Sequence, residues 1–459
     1  MKKMNEMRRM MTKSLMVCLL MLSTAITFVA CGSDDDVAAP TSSGDGISMG
    51  QALIRLTGFD GSLENIPVQL RSMQSGMTFT EKSNANGTAT FNVTPGVYEA
   101  SASATITQGN TCITLNGVTS QIVVKNGAAT EVELKLVSAL TSQLIIKEVY
   151  NGGVLKDDNK LFQFDKCIIL YNNSSQPVAS ANLCIAMISP YNSQAANKWY
   201  EGGKLVYESE GYVPAADGIW YFPDTLKIEP YQQIVVNCCG AIDNTITYPQ
   251  SVNYANKDYY CMYDPDAGYT NTSYYPTPAD VIPTSHYLKA VKIGVSNAWA
   301  LSTTSPAIIL FQTADTDPAT YCSNAANMTY VPGAAQTDVN KVLKVPTEWV
   351  LDGIEVFSAK HTTDNTKRLT ADIDAGYVNL TNQLGHVLYR NVDKEATEAI
   401  SSNAGKLIYQ YGLGVDGSTD PNNIDAEASM KQGARIVFMD TNNSSADFHE
   451  RAHCSLKDN

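Results

Sequence analysis

Apolar and polar residues alternate with a period of two through Ala52-Leu53-Ile54-Arg55-Leu56-Thr57, Val68-Gln69-Leu70 and Thr88-Ala89-Thr90-Phe91-Asn92-Val93. That is the pattern of half-buried antiparallel strands. Asn86-Gly87 marks a turn, because both residues tolerate positive φ, and Thr94-Pro95-Gly96-Val97-Tyr98 closes the next one. From residue 144 the pattern changes. Leu144–Tyr150, Cys167–Tyr171, Leu226–Pro230, Gln233–Asn237, Ser305–Phe311 and Val350–Phe357 read as further strands. Amphipathic helical spacing is almost absent, and the chain is rich in Tyr, Thr, Val, Asn, Gly and Pro, so the expected fold class is all-β.

Before residue 47 the pattern is of another kind. Lys2, Lys3, Arg8, Arg9 and Lys13 precede an apolar run from Leu15 to Phe28, so residues 1–30 read as a secretory signal. Phe28-Val29-Ala30-Cys31 resembles a bacterial lipobox, which implies that Cys31 is lipidated and becomes the mature N-terminus. Gly32-Ser33-Asp34-Asp35-Asp36 is similar to the acidic stretch that sends Bacteroides-type lipoproteins to the outer face of the outer membrane. Residues 31–46 are then a flexible tether. The expected location is the outer membrane, lipid-anchored and surface-exposed, with the membrane itself as one partner.

Two resemblances organise the rest. Gly87 to Tyr98 matches the GxxxFxxxPGxY core of carboxypeptidase-regulatory-like domains, which implies a prealbumin-like, immunoglobulin-like β-sandwich over residues 47–138. Leu144–Tyr150, Cys167–Asn173 and Gln233–Asn237 follow the order of a lamin-tail domain: a strand ending E-x-Y, one ending L-Y-N, then a strand of I-V-V. This implies a larger lamin-tail-like sandwich with long loops over residues 141–448, with 449–459 as a C-terminal tail. Lys367-Arg368-Leu369, Asp374-Ala375-Gly376-Tyr377 and Asp440–Phe448 extend the likeness. Together these features resemble uncharacterised Bacteroides-type surface lipoproteins, accessory to TonB-dependent outer-membrane transporters.

The formal net charge of −14, more negative still without the basic signal, disfavours nucleic acid as a partner. Without Cys18 and Cys31, eight cysteines remain, and in an oxidising compartment at least one disulfide is expected, its pairing open. No C-x-x-C pair, nucleophile elbow, phosphate-cradling loop or dinucleotide fingerprint appears, and no cofactor is implied.

Three segments carry candidate chemistry. His449-Glu450-Arg451-Ala452-His453 matches the H-E-x-x-H pattern of zinc hydrolases. Only six residues follow His453, so the expectation is a solvated tail, with incidental metal binding by His449, His453 and Cys454 as the alternative. Asp416–Glu427 has oxygens at several calcium-loop positions, but Pro421 replaces the required glycine, and a plain polar loop is expected. Tyrosines crowd residues 254–287, and Tyr259, Tyr260, Tyr263, Tyr274 and Tyr275 are candidates for binding a small molecule, peptide or glycan, with loop packing as the competing role. The reading is a non-enzymatic, lipid-anchored binding or accessory protein for nutrient or metal uptake. Adhesion or an envelope-structural role comes second and a metal-dependent hydrolase third.

Overall fold

A computed structural model of the chain describes residues 48–457, apart from 76, 109–110, 157 and 362. The signal, Cys31 and the tether lie outside the described residues. The all-β expectation holds: strands dominate, and the longest described helices have six residues. None of the described helices is long and apolar enough to cross a membrane.

Residues 50–142 form two facing sheets. One has the order Thr88–Val93, Gly50–Thr57, Ala129–Lys135; the other runs Thr78–Lys82, Pro67–Ser72, Gly96–Gln108, Thr111–Val124, Val137–Ser142. Alternate residues Ala52, Ile54 and Leu56 point into a core shared with Val68, Leu70, Phe91 and Leu134, as the period-two pattern requires. Gly87 takes φ +73° at the expected turn, and the Tyr98 hydroxyl donates to the Thr94 carbonyl at 2.8 Å, which ties off the next.

From residue 144 onward two larger sheets face each other. The six-stranded sheet has the order Tyr260–Cys261, Gln233–Cys239, Lys166–Asn172, Leu144–Tyr150, Val387–Arg390, Phe448–Arg451. Opposite it, Leu183–Ile188, Ala307–Gln312 and Val350–Ser358 form the centre of an eight-stranded sheet. Ile146, Ile168 and Leu170 meet Ile185, Ile308, Leu310 and Ile354 between them. Both sheets are also covered on their outer faces: Ile145, Tyr171 and Tyr389 lie beneath Ile424, Ile436 and Phe438, while Ile309 and Phe311 lie beneath Tyr207 and Leu369. That is why Leu144–Tyr150 and Lys166–Asn172 are buried at every position: a strand covered on both faces has no solvent side.

Charged residues inside this sandwich come in matched sets. Asp352 and Glu355, on one strand, each hold an arginine: Arg390 Nη2 donates to Asp352 Oδ2, and Arg368 Nε and Nη2 reach Glu355 Oε1 at 2.9 and 2.6 Å. Asp374 accepts from the backbone N–H groups of Glu355, Gly376 and Ser444, at 2.8, 2.9 and 2.8 Å. A Cβ on Gly376 would lie 1.9 Å from Asn443 Oδ1. The Lys367–Leu369, Asp374–Tyr377 and Asp440–Phe448 motifs are therefore internal ties of the fold, because a buried charge is tolerated only when paired.

Two expectations need correction here. The described part of the expected 449–459 tail, residues 449–457, is not solvated chain: Phe448–Arg451 is the edge strand of the six-stranded sheet, with His449 and Glu450 only 2% and 4% exposed. The expected disulfide is not found among the described residues, since Cys167, Cys184, Cys238, Cys239, Cys261, Cys322 and Cys454 are all free and buried. The Cys112 side chain lies outside what the structure describes.

Candidate functional site: a cleft over a buried ion pair

The strand Leu144–Tyr150 holds one lysine, flanked by Ile146 and Glu148, and the pairing with Lys166–Asn172 explains where it goes. Leu170 faces Ile146 but Ile169 faces Glu148, so Lys147 is the extra residue of a β-bulge. The bulge turns Lys147 and Glu148 to the same outer face, while Ile146 and Val149 stay in the inner core. Lys147 is wholly buried, and its Nζ lies 2.5 Å from both Glu427 Oε1 and Gln233 Oε1. The Tyr389 hydroxyl donates to the same Glu427 oxygen at 2.7 Å, and the ammonium stands 5.2 Å from the centroid of the Tyr389 ring. Burial pushes the Glu427 carboxyl upward, but Lys147 and Tyr389 outweigh it and hold the group below the usual glutamate range.

Above this pair opens a cleft of about 430 Å³. One wall is the turn Pro230–Gln233; the other is the helix Ala426–Lys431 with the segment Gly433–Arg435 behind it. Tyr171, Asn172 and Asn173 fix both walls. Asn172 Nδ2 donates to the carbonyls of Gln176, Ile228 and Glu229 at 2.7, 3.0 and 3.2 Å, which anchors the first wall. Asn173 exchanges two bonds with the Phe438 backbone, at 2.9 and 2.8 Å, and the Tyr171 hydroxyl donates to Ile436 O at 2.7 Å, which anchors the second. The helix is capped by Asp425, whose carboxylate accepts from Ala428 N at 2.9 Å.

Tyr231 holds φ at +58°, a left-handed backbone that a bulky side chain adopts only when its surroundings impose it. Its ring carries the Arg435 guanidinium 5.7 Å from the centroid. The cleft therefore presents an aromatic ring, a planar cation and the Gln232 amide, with Gln233 and Lys431 also in its lining, over a charge-balanced floor. Small-molecule sites take this form: a concavity of a few hundred cubic ångströms with a few placed polar groups.

None of these lining residues was read from the sequence as part of a binding cleft. The signal was Lys147, which with Glu148 interrupts an otherwise apolar strand and, once buried, demands an acceptor. Glu427 was read only as the last position of a calcium-like loop. In the structure that loop does not converge on a cation: Glu427 turns to Lys147, Asp420 accepts from Val392 N at 2.8 Å, and Asp425 caps a helix.

The tyrosine candidates are half-buried and packed. Tyr260 stacks on His286 at 4.1 Å, Tyr263 packs edge-on against Tyr287, and Tyr274 against Phe164. Tyr275 accepts from Trp299 N and donates to its carbonyl, both at 2.9 Å, and Tyr259 packs beside Tyr254.

The H-E-x-x-H residues lie on a strand and its exit instead of a helix, so the two histidines do not share a face. His449 Nδ1 bonds Asn391 Oδ1 at 2.7 Å and its Nε2 bonds the Tyr411 hydroxyl at 2.5 Å. Burial, then the Arg451 charge, push its pKa down to about 3, which leaves it neutral. Glu450 faces the other way, to His386 at 2.6 Å and Thr381 N at 2.8 Å. Cys454 is buried beside Cys167 and Tyr150, its thiol pushed up by burial. Among the described residues no three His, Cys, Asp or Glu side chains are grouped so as to hold a metal.

Residues 229–412 match the model of a family described as Protein of unknown function (DUF4876), a span that includes the Pro230–Gln233 wall but not the helix opposite. A solved structure of a DUF4876 family protein from Bacteroides thetaiotaomicron is similar over 87% of this chain and 94% of that one, at 16% identity and a TM-score of 0.53. That likeness shows a shared fold. A second structure, described as a "putative carbohydrate binding protein" from Bacteroides uniformis, covers 40% of this chain and 76% of its own at 13% identity, and its TM-score of 0.15 supports no conclusion. No curated protein matches the chain.

Proposed function

We propose that this chain, similar over residues 229–412 to the DUF4876 family, is a lipid-anchored binding protein of the outer-membrane surface. It takes a small polar ligand in the cleft between Tyr231 and Arg435 and serves a TonB-dependent transporter as an accessory. The observation that carries the binding role is the cleft itself. Its walls are pinned by Tyr171, Asn172 and Asn173 to one strand end, so its polar groups are held in place before any ligand arrives. A non-catalytic role is supported by Glu427, the one carboxylate among the lining residues. A general acid or base works best with a pKa near the working pH, and Lys147 moves Glu427 away from it. The anchor and the location are supported by Cys31 and the acidic stretch after it.

The test is purification of the wild type and Tyr231→Ala from outer membranes in mild detergent, followed by native mass spectrometry of bound small molecules and proteins. The expected result is a small-molecule adduct and a co-purifying transporter with the wild type, and loss of the adduct in the variant. An empty wild type would overturn the binding role, and turnover of a substrate by the purified protein would overturn the non-catalytic one.

A further inference from the structure

Resting on that reading of the cleft, we infer that its ligand is an anion: a small polar molecule whose carboxylate or phosphate is received by Arg435. The chain as a whole carries a formal net charge of −14, which on balance repels such a molecule. The cleft inverts that sign. Arg435 lines it opposite one carboxylate, Glu427, which the buried Lys147 already neutralises from below.

Arg435 is also held for the task. Its backbone N–H donates to Asn403 Oδ1 at 2.8 Å, its carbonyl accepts from Asn403 Nδ2 at 2.7 Å, and its guanidinium lies over the Tyr231 ring. A guanidinium presents parallel N–H groups at the spacing of a carboxylate or phosphate edge, so a fixed arginine favours an oxyanion over a neutral hydroxyl. The Gln232 amide offers a donor and an acceptor for hydroxyl groups on the same ligand, and the volume suits a molecule the size of a mono- or disaccharide.

The experiment is titration calorimetry of the full-length protein in detergent with D-glucuronate, D-glucose 6-phosphate and D-glucose, at low and high salt, for the wild type, Arg435→Gln and Tyr231→Ala. One or both acidic probes should bind roughly tenfold or more tightly than glucose, the advantage shrinking with salt and lost in Arg435→Gln. Because Arg435 is exposed, its variant should keep the wild-type melting temperature without ligand. Binding of glucuronate alone identifies a carboxylate ligand, and of the sugar phosphate alone a phosphate ligand. If glucose binds as tightly as the acids and Tyr231→Ala abolishes it, the charge inference fails while the cleft remains a binding site. If none of the three binds, or Arg435→Gln changes nothing, the inference is overturned, and the adduct experiment above decides the cleft separately.

Discussion

Replacing Lys147 by Met tests the reasoning about the cleft floor most directly. Lys147 is wholly buried and the Glu427 side chain is 12% exposed, so solvent screens the pair little. Lys147→Met leaves an ionised carboxylate with the Tyr389 hydroxyl and the more distant Arg451 charge, and Glu427→Gln leaves a buried ammonium between neutral amides. Breaking such a pair costs about 3–5 kcal/mol, whereas a neutral replacement of both partners is often close to wild type. The double variant Lys147→Met/Glu427→Gln should therefore fall within about 2 kcal/mol of wild type, with a coupling energy of about 3 kcal/mol or more. In urea denaturation, at a slope of roughly 3 kcal/mol per molar, each single variant should lose about 1 M in midpoint.

The pH dependence has a definite sign. The Glu427 carboxyl is held low in the folded state, so its stabilisation is present above the ordinary glutamate range and is lost as pH falls through the lowered value. Wild type and Lys147→Met should converge in acid. Additive single effects, or a Lys147→Met variant within 1 kcal/mol of wild type at pH 7, would refute the account (a threshold set well under the roughly 3–5 kcal/mol expected).

Three further outcomes are expected. His449 is pushed down to about 3, below its unfolded value, so stability should fall as pH drops from about 6.5 towards 3; His449→Gln should flatten that slope in acid-unfolding curves. Gly376→Ala should destabilise by about 1–3 kcal/mol or more in thermal melts, because the new methyl meets Asn443 and Ser445, and Asn443→Ala should recover part of the loss. Truncation after Phe448 should abolish the folded second sandwich while residues 50–142 survive limited proteolysis, since it removes three of the four residues of a buried edge strand; a stable truncated protein would contradict the strand assignment.

Much of the fold was legible because a strand's period is short and local. The alternation in Ala52–Thr57 and Thr88–Val93 fixes both a strand and its buried face, and the L-Y-N ending at Asn172 marked a real structural tie. What escaped was long-range. Lys147 announces a buried charge, but its partner lies 280 positions away on a short helix, and the bulge that aims it leaves no local signature. The segment after Phe448 was misread for the opposite reason. His449, Glu450 and Arg451 are polar, and polarity was taken for exposure, yet each is buried against its own partner: Asn391, His386 and the face of the Tyr389 ring. The H-E-x-x-H spacing has meaning only on a helix, and the chain there is extended.

The place of that edge strand bears on how the chain reaches its folded state. The six-stranded sheet joins Leu144–Tyr150 to Val387–Arg390 and closes with Phe448–Arg451, while Cys454 fills the cluster over Cys167 and Tyr150. Pairings between such distant segments carry a large loop-closure cost before they return any stability, which makes folding slow. A ribosome-borne chain that has reached residue 440 still lacks the strip that seals this sheet, so its central strands stay open to unfolding. Only when residues 448–457 follow can the sandwich lock.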